Sequence, residues 1–276
     1  MSISVHTNSS AMVALQNLNA TNRDLEATQQ RVSTGLKVQG AKDNASVFAV
    51  AQNMRGDTAA LGVVQASLDR AQSIADVAIA AGETISDLFI QLREKATASM
   101  DPSIDAAARS AYAADFNAIA QQVKNIIDDA EFDGANLLNN SLTGGIEFIA
   151  DADATDTLTL TSEDFSFSGS IISLTSTATL GSVSSSQAAL SAINSSLTNI
   201  NSALARLGAS AKQMENHSLF VTKLQDTLTE GVGNLVDADL AKESATLQAL
   251  QVKQQLGVQA LSIANQAPQT LLSLFQ

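Results

Sequence analysis
The chain has 276 residues and a formal net charge of −13, with 45% hydrophobic residues, only 4% aromatics, no Trp, no Cys and two prolines. That length holds a sizeable core, the apolar content is too high for a disordered chain, and the missing cysteines remove disulfide frameworks and thiolate zinc sites. The acidic balance argues against nucleic acid, which needs a basic face. No stretch approaches the roughly 18 apolar residues of a membrane span, so no membrane partner is expected, and with no basic n-region and apolar h-region at the start a cleaved leader is not expected either.

The charge is unevenly placed. Residues 1–22 carry no Asp, Glu, Lys or Arg, and residues 246–276 carry only Lys253. Residues 101–167 hold thirteen acids against Arg109 and Lys124, and these acids read as a solvated face. Asp151, Asp153 and Asp156 invite a calcium loop. However, Asp156 stands where the loop needs Gly and Ser162 where it needs Glu, so no metal site is expected.

From Ala11 the positions Ala11, Leu15, Leu18, Asn22, Leu25, Gln29, Val32 and Leu36 alternate four- and three-residue steps, a coiled-coil seam with two polar interruptions. Gly35 and Gly40 mark a break. Residues 43–100 resume a helix whose stripe is Leu61, Val64, Leu68, Ala71, Ile74 and Ala78. Pro102 is expected to open the next helix with Asp101 as its N-cap; it runs through Phe116, Ile119, Val123 and Ile127 to a turn at Phe132-Asp133-Gly134. Residues 144–186 alternate apolar and polar residues among Gly, Ser and Asp, which predicts a β insertion of two to four strands.

Helix resumes at about Gln187 with a stripe of Leu190, Ile193, Leu197, Ile200, Leu204 and Leu207. Gly208 is expected to interrupt or bend it, and Gly231 and Gly233 to end the segment that follows. Asp237 and Asp239 suit the start of a last helix. That helix carries two stripes: Ala245, Ala249, Val252, Leu256, Ala260, Ile263, Ala267, Leu271 and Leu274, and separately Leu247, Leu250 and Leu261. Gln251, Gln254, Gln255, Gln259 and Gln266 form a neutral polar face. A surface helix needs one apolar face, so a helix with two has neighbours on several sides.

The pattern predicts a mainly α fold: a long antiparallel coiled-coil or helical-bundle rod made by the N- and C-terminal segments, with a small β-hairpin-containing insertion projecting from its far end. The expected domains are 1–42 with 236–276 as a terminal coiled coil, 43–143 with 187–235 as a helical body, and 144–186 as a variable insertion.

Several segments resemble the bacterial flagellins. They are Val5-His6-Thr7-Asn8 with Ala14-Leu15-Gln16-Asn17-Leu18, Gln30 to Val38, Ala41-Lys42-Asp43, Phe132-Asp133-Gly134 with Leu137-Leu138, Leu207-Gly208-Ala209, Val236 to Glu243, Gln255-Leu256-Gly257, and Ala264 to Gln269. The resemblance covers about residues 1–140 and 187–276. It implies a filament subunit for swimming motility, exported unfolded through the flagellar type III channel to an extracellular filament. Its implied partners are other flagellin subunits, an export chaperone, and hook-associated and cap proteins. The departures are Asn44 for the second residue of an aspartate pair, Gln91 and Lys95 in the Ile90–Lys95 stretch, Gln276 for a common Arg, and a short insertion. The changes at Gln91 and Lys95 leave recognition by the vertebrate innate receptor unexpected.

The residues expected to carry self-assembly are Leu15, Leu18, Leu25, Val32, Leu36, Leu247, Leu250, Val252, Leu256, Leu261, Ile263 and Leu271, with neighbouring copies covering both stripes of the last helix. Repeated contacts that do not close generate a helical polymer. Catalysis and cofactors are not expected: there are two histidines, His6 and His217, no thiol, and Gly231-Val232-Gly233 lacks the third glycine of a dinucleotide fingerprint. The alternatives weighed are a flagellin-related junction protein between hook and filament, and a chemoreceptor signalling rod, which should lack a β insertion.

Overall fold
The computed structural model describes residues 7–176 and 178–272, the last six of these by backbone alone. Among the described residues there are five helices and one two-stranded sheet: α1 (Ser9–Thr34), α2 (Ala45–Ser99), α3 (Ala106–Asp129), β1 (Ile146–Ile149), β2 (Thr157–Leu160), α4 (Val183–Val236) and α5 (Leu240–Leu272). The mainly α expectation holds. The chain divides into two compact units, Met1–Gly56 with Thr227–Gln276, and Asp57–Asp226.

In the first unit each helix start uses a short polar side chain for the orphan amides of its first turn. Asn8 Oδ1 accepts from Ala11 N at 3.2 Å, and Asn44 Oδ1 from Val47 N at 3.1 Å. Asp239 Oδ1 accepts from Ala241 N at 3.0 Å and Lys242 N at 3.1 Å. Asn44 thus caps α2 as an aspartate would, so this departure from the resembled motif leaves the cap intact. The strands of chain leaving α1 and entering α5 are tied together by backbone: Lys37 N and Val38 N donate to Val236 O at 2.7 and 3.2 Å, and Ala238 N donates to Gly35 O at 2.8 Å. Beneath them Val38, Ala51 and Val236 are buried, with Leu36, Val47, Phe48, Val232 and Leu235 packed around.

Gly208, Gly231 and Gly233 do not break the helix; α4 runs through all three. At Gly231 the helix packs closely on Met54, whose Cε would lie 2.7 Å from a Cβ there. A helical glycine costs about 1 kcal/mol relative to alanine, which the packing along so long a helix readily offsets.

In the second unit the expected α2 stripe is buried throughout, from Leu61 to Ala78, and continues through Ile85, Phe89 and Leu92. It faces α4 antiparallel, as Gln65 Nε2 donates to Ser218 Oγ at 2.6 Å and Ser99 Oγ to Ser186 Oγ at 2.7 Å. From the α4 stripe Ile193, Ile200 and Leu207 are fully buried and the other three half-buried. This helix starts at Val183, four residues before the expected Gln187, because Ser182 and Ser185 cap each other: Ser185 N donates to Ser182 Oγ at 3.1 Å and Ser182 N to Ser185 Oγ at 2.9 Å.

The start of α3 also differs from expectation. Asp105, not Asp101, is the N-cap, its carboxylate accepting from Ala108 N at 2.7 Å. Asp101 is engaged by its own turn, accepting from Ser103 N at 2.8 Å and Ser103 Oγ at 2.7 Å, and Pro102 lies in that turn. The expected stop at Phe132-Asp133-Gly134 is a two-residue hairpin turn. Phe132 and Ala135 exchange both backbone hydrogen bonds at 3.0 Å. Asp133 and Gly134 both have positive φ, 51° and 77°, the signature of a type I′ turn.

The insertion contributes one antiparallel hairpin, with Ile146 opposite Leu160 and Ile149 opposite Thr157. The Phe165–Phe167 and Ile171–Leu174 segments form no strand; only Phe167 and Ile172 make an isolated bridge. Nor does the insertion stand free of the helices. Phe148, Leu160, Phe165, Ile171, Ile172, Leu174 and Leu180 are all buried, and Asn199 Nδ2 on α4 donates to Ile171 O at 3.2 Å. His217 on α4 donates a ring N–H to Ala150 O at 2.7 Å. The carbonyl can only accept, which fixes the proton on Nε2.

Most of the acids in 101–167 are exposed, as expected, but Glu163 is buried. Its two carboxylate oxygens each accept from Arg206, at 2.6 Å from Nε and 2.6 Å from Nη2. Glu163→Ala is expected to destabilise this unit by about 1–3 kcal/mol, the loss of a bidentate charged pair discounted for the exposed guanidinium. Thermal unfolding followed by circular dichroism checks this.

Asp151 holds the hairpin loop. Its carboxylate accepts from Thr155 Oγ1 at 2.6 Å, Thr155 N at 2.8 Å and Asp156 N at 3.1 Å. The Thr155 hydroxyl, followed by the Asp156 amide, holds this carboxyl below the ordinary aspartate value. A depressed folded-state pKa means the stabilisation is present above the unfolded aspartate value and is lost as pH falls through the folded one. The protection factors of the Thr155 and Asp156 amides, taken against the intrinsic exchange rate at each pH, are therefore expected to fall on acidification below the ordinary aspartate range. In Asp151→Asn that fall should be absent.

Candidate functional site
The site is the pair of helices α1 and α5. They run antiparallel, pinned at four levels. Asn8 Nδ2 donates to Ala264 O at 2.7 Å, and Gln254 Nε2 donates to Asn22 Oδ1 at 2.8 Å. Arg31 Nη1 lies 3.6 Å from Glu243 Oε1. At Gly257 a Cβ would stand 3.2 Å from Leu18 Cδ1, so the bare backbone makes room for Leu18.

On α5 the covered residues are Glu243, Leu247, Leu250, Gln254, Gly257, Leu261 and Ala264, and every other residue from Leu240 to Gln266 is exposed. Steps of four and three alternate without a fault, a full antiparallel coiled-coil seam. The facing residues on α1 are Ala11, Ala14, Leu18, Thr21, Leu25, Thr28 and Val32, with Asn22 alongside, all half-buried except Thr28, which is buried.

This arrangement sorts the expected assembly residues. Leu18, Leu25, Val32, Leu247, Leu250 and Leu261 are covered within the subunit, and Leu36 is half-buried in the small core beside Val236. Leu15, Val252, Leu256 and Ile263 face outward, 47%, 54%, 58% and 65% exposed. The side chain of Leu271 and the residue His6 lie outside the described residues.

Three expectations change. The second stripe of α5 is covered by α1 of the same chain, so neighbouring copies are not needed for it. Gln29 is exposed, and its seam place is taken by Thr28. Gln254 belongs to the seam and not to the neutral amide face. Sequence reasoning missed Ala14, Thr21, Thr28, Gly257 and Glu243, whose small size or charge hides them from a hydrophobic count. The opposite charges of Arg31 and Glu243 were the signal available.

At 100° per residue, the exposed Val252, Leu256 and Ile263 stripe lies roughly 150° around α5 from the seam, and Gln251, Gln255, Gln259 and Gln266 occupy one of the two sectors between. The helix therefore has three faces: one covered by α1, one apolar and open, one neutral and polar. Its exposed residues from Thr246 to Gln266 include a single charge, Lys253. Among the described residues no group of three or more His, Asp or Glu side chains is placed to hold a metal ion, and no helix is long and apolar enough to cross a membrane.

The family model for the bacterial flagellin N-terminal helical region matches residues 5–143, and that for the C-terminal helical region matches residues 190–275. Flagellin FljK of Caulobacter vibrioides is 45% identical over 273 residues, which cover 99% of this chain and 98% of the relative. A flagellin of Brucella melitensis biotype 1 is 37% identical, with 99% of both chains covered. Among solved structures, Bacillus cereus flagellin matches with a TM-score of 0.49 at 20% identity, over 56% of this chain and 87% of that one. The chain belongs to the bacterial flagellin family, as a short member, and is a structural subunit of the flagellar filament, which lies outside the cell.

Proposed function
We propose that the subunits join through the open apolar stripe of α5, with Val252, Leu256 and Ile263 as its centre and Leu15 as a separate open position on α1. The observation that carries this reading is that three large aliphatic side chains at helical spacing are each more than half exposed on a nearly uncharged helix. Covering their remaining exposed surface contributes about 1–1.5 kcal/mol per side chain, half of what full burial provides. Leu18, Leu25, Val32, Leu36, Leu247, Leu250 and Leu261 act one step earlier, by holding the pair that presents the stripe.

In this reading residues 1–42 with 236–276 are the assembling segments, 43–143 with 187–235 the helical body, and 144–186 the variable segment. The chain reaches its extracellular place by unfolded export through the flagellar type III channel. It meets an export chaperone, hook-associated and cap proteins on the way, and has no catalytic role. The neutral amide sector of α5 supports this, since a channel lined by it would not trap charged chains in transit.

Purified chain added to sheared filament seeds is expected to extend them into long filaments, seen by electron microscopy. Growth that stops after a short collar would instead identify a junction protein between hook and filament, the alternative that neither family region favours.

A further inference from the structure
We propose that Asn22 and Gln254, seconded by Arg31 with Glu243, are the positioning residues that fix the register of the α1–α5 pair, and through it the height at which each subunit presents its assembly stripe. The inference rests on the reading of the α5 stripe given above. The backbone bonds of Gly35, Lys37 and Val38 to Val236 and Ala238 hold the base of the pair, and the amide pair sets the register of the seam beyond that tie. Both seams repeat every seven residues, so sliding one helix by a heptad returns seam positions to seam positions and moves the stripe by about 10.5 Å.

The named contacts differ in what they can discriminate. Asn8 donates to a backbone carbonyl, and a carbonyl is offered in every register, so this bond selects nothing. The Asn22–Gln254 bond joins two side chains. A heptad slip in either direction sets Asn22 against Leu247 or Leu261, and Gln254 against Leu15 or Gln29. Each slipped state thus breaks the amide–amide bond and sets at least one half-buried amide against a leucine. The same slips set Arg31 against Leu250 or Val236 in place of Glu243. In one direction they also move Leu18 from the open backbone of Gly257 onto Leu250. The seam otherwise consists largely of Ala, Thr and Leu at equivalent places, which tolerate sliding. A polar pair at one level of an apolar seam is the general way a coiled coil chooses register at some cost in stability.

The absence of cysteine from the chain makes the register directly measurable. Thr28→Cys with Leu247→Cys reports the observed register, and Thr21→Cys with Leu247→Cys reports a one-heptad slip. Each full-length pair is diluted into an excess of wild-type chain, assembled on seeds, oxidised, and its intramolecular disulfide quantified in filament and supernatant. With Asn22 and Gln254 present, the slipped product is expected at under about a tenth of the in-register one. With Asn22→Leu and Gln254→Leu added, the slipped product should rise to a comparable amount, and the slipped chains should be excluded from the filament. The exchange Asn22→Gln with Gln254→Asn keeps an amide pair at this level and should restore both register and incorporation. Unchanged in-register cross-linking in the double leucine chain would overturn the proposal. So would exclusion of the amide-exchange chain along with the leucine one. The cross-link reads register whether or not the stripe carries assembly, so failure here and failure of the stripe reading are told apart.

Discussion

Leu256→Asp is expected to stop filament growth while leaving the subunit folded. Leu256 is 58% exposed within the subunit and has no place in the α1–α5 seam, so an aspartate there is solvated in the free chain and costs little. In the polymer the same carboxylate would be pressed against a neighbour's apolar surface with no partner. An unpaired charge removed from water costs about 3 kcal/mol or more, which raises the chain concentration needed for assembly by roughly a hundredfold. Pelleting against seeds measures this. A proper control is Asp153→Ala, because Asp153 is exposed and solvated substitutions stay within about 0.5 kcal/mol. Glu163→Ala is unsuitable, as that carboxylate is buried and paired with Arg206. Equal pelleting of Leu256→Asp and Asp153→Ala would count against the stripe.

Removal of residues 246–276 is expected to have the larger effect. It takes away the open stripe and also Leu247, Leu250, Gln254, Gly257 and Leu261, so Leu18, Leu25 and Thr28 on α1 lose their cover. No polymer should pellet at any accessible concentration. The unit Asp57–Asp226 contains none of these residues and has its own core from Leu61 to Val221. Circular dichroism should therefore keep the signal of α3 and of the α2 and α4 segments in that unit, with a cooperative thermal transition. Loss of that transition would mean the two units are one folding entity, and normal filaments would remove α5 from assembly.

Much of this fold was legible before any coordinates. The stripes from Leu61 to Ala78 and from Leu190 to Leu207 are apolar at a strict helical period, and such a period admits one buried face. The turn at Asp133-Gly134 was equally plain, because few dipeptides accept two positive φ angles in succession. The errors came where two local signals compete. Asp101-Pro102 has the chemistry of a cap followed by a first helical residue, but Ser103 occupies the Asp101 carboxylate, and Asp105 caps the helix instead. Gly208, Gly231 and Gly233 read as breaks because propensity alone penalises them, whereas α4 carries all three, and at Gly231 Met54 packs into the space a Cβ would take.

The site was half legible for a related reason. From Ala11 two heptad phases share Ala11, Leu18, Leu25 and Val32, and differ only in choosing 14, 21 and 28 or 15, 22 and 29. Hydrophobicity favours Leu15; close packing of two helices favours Ala14, Thr21 and Thr28. The seam of α5 was hidden in the same way, with Gln254 and Gly257 breaking what otherwise is a run of leucines. Its two faces were seen, but which one the chain covers by itself depends on α1, more than two hundred residues away in sequence.

In the proposed assembly Val252, Leu256 and Ile263 are open in one subunit so that another covers them. A filament map at side-chain resolution tests it most directly. α1 and α5 should be paired within each subunit through Gln254 and Asn22, with the Val252, Leu256 and Ile263 side chains packed against a neighbouring subunit. A map in which those three side chains face solvent or the central channel, with subunits joined elsewhere, would contradict it.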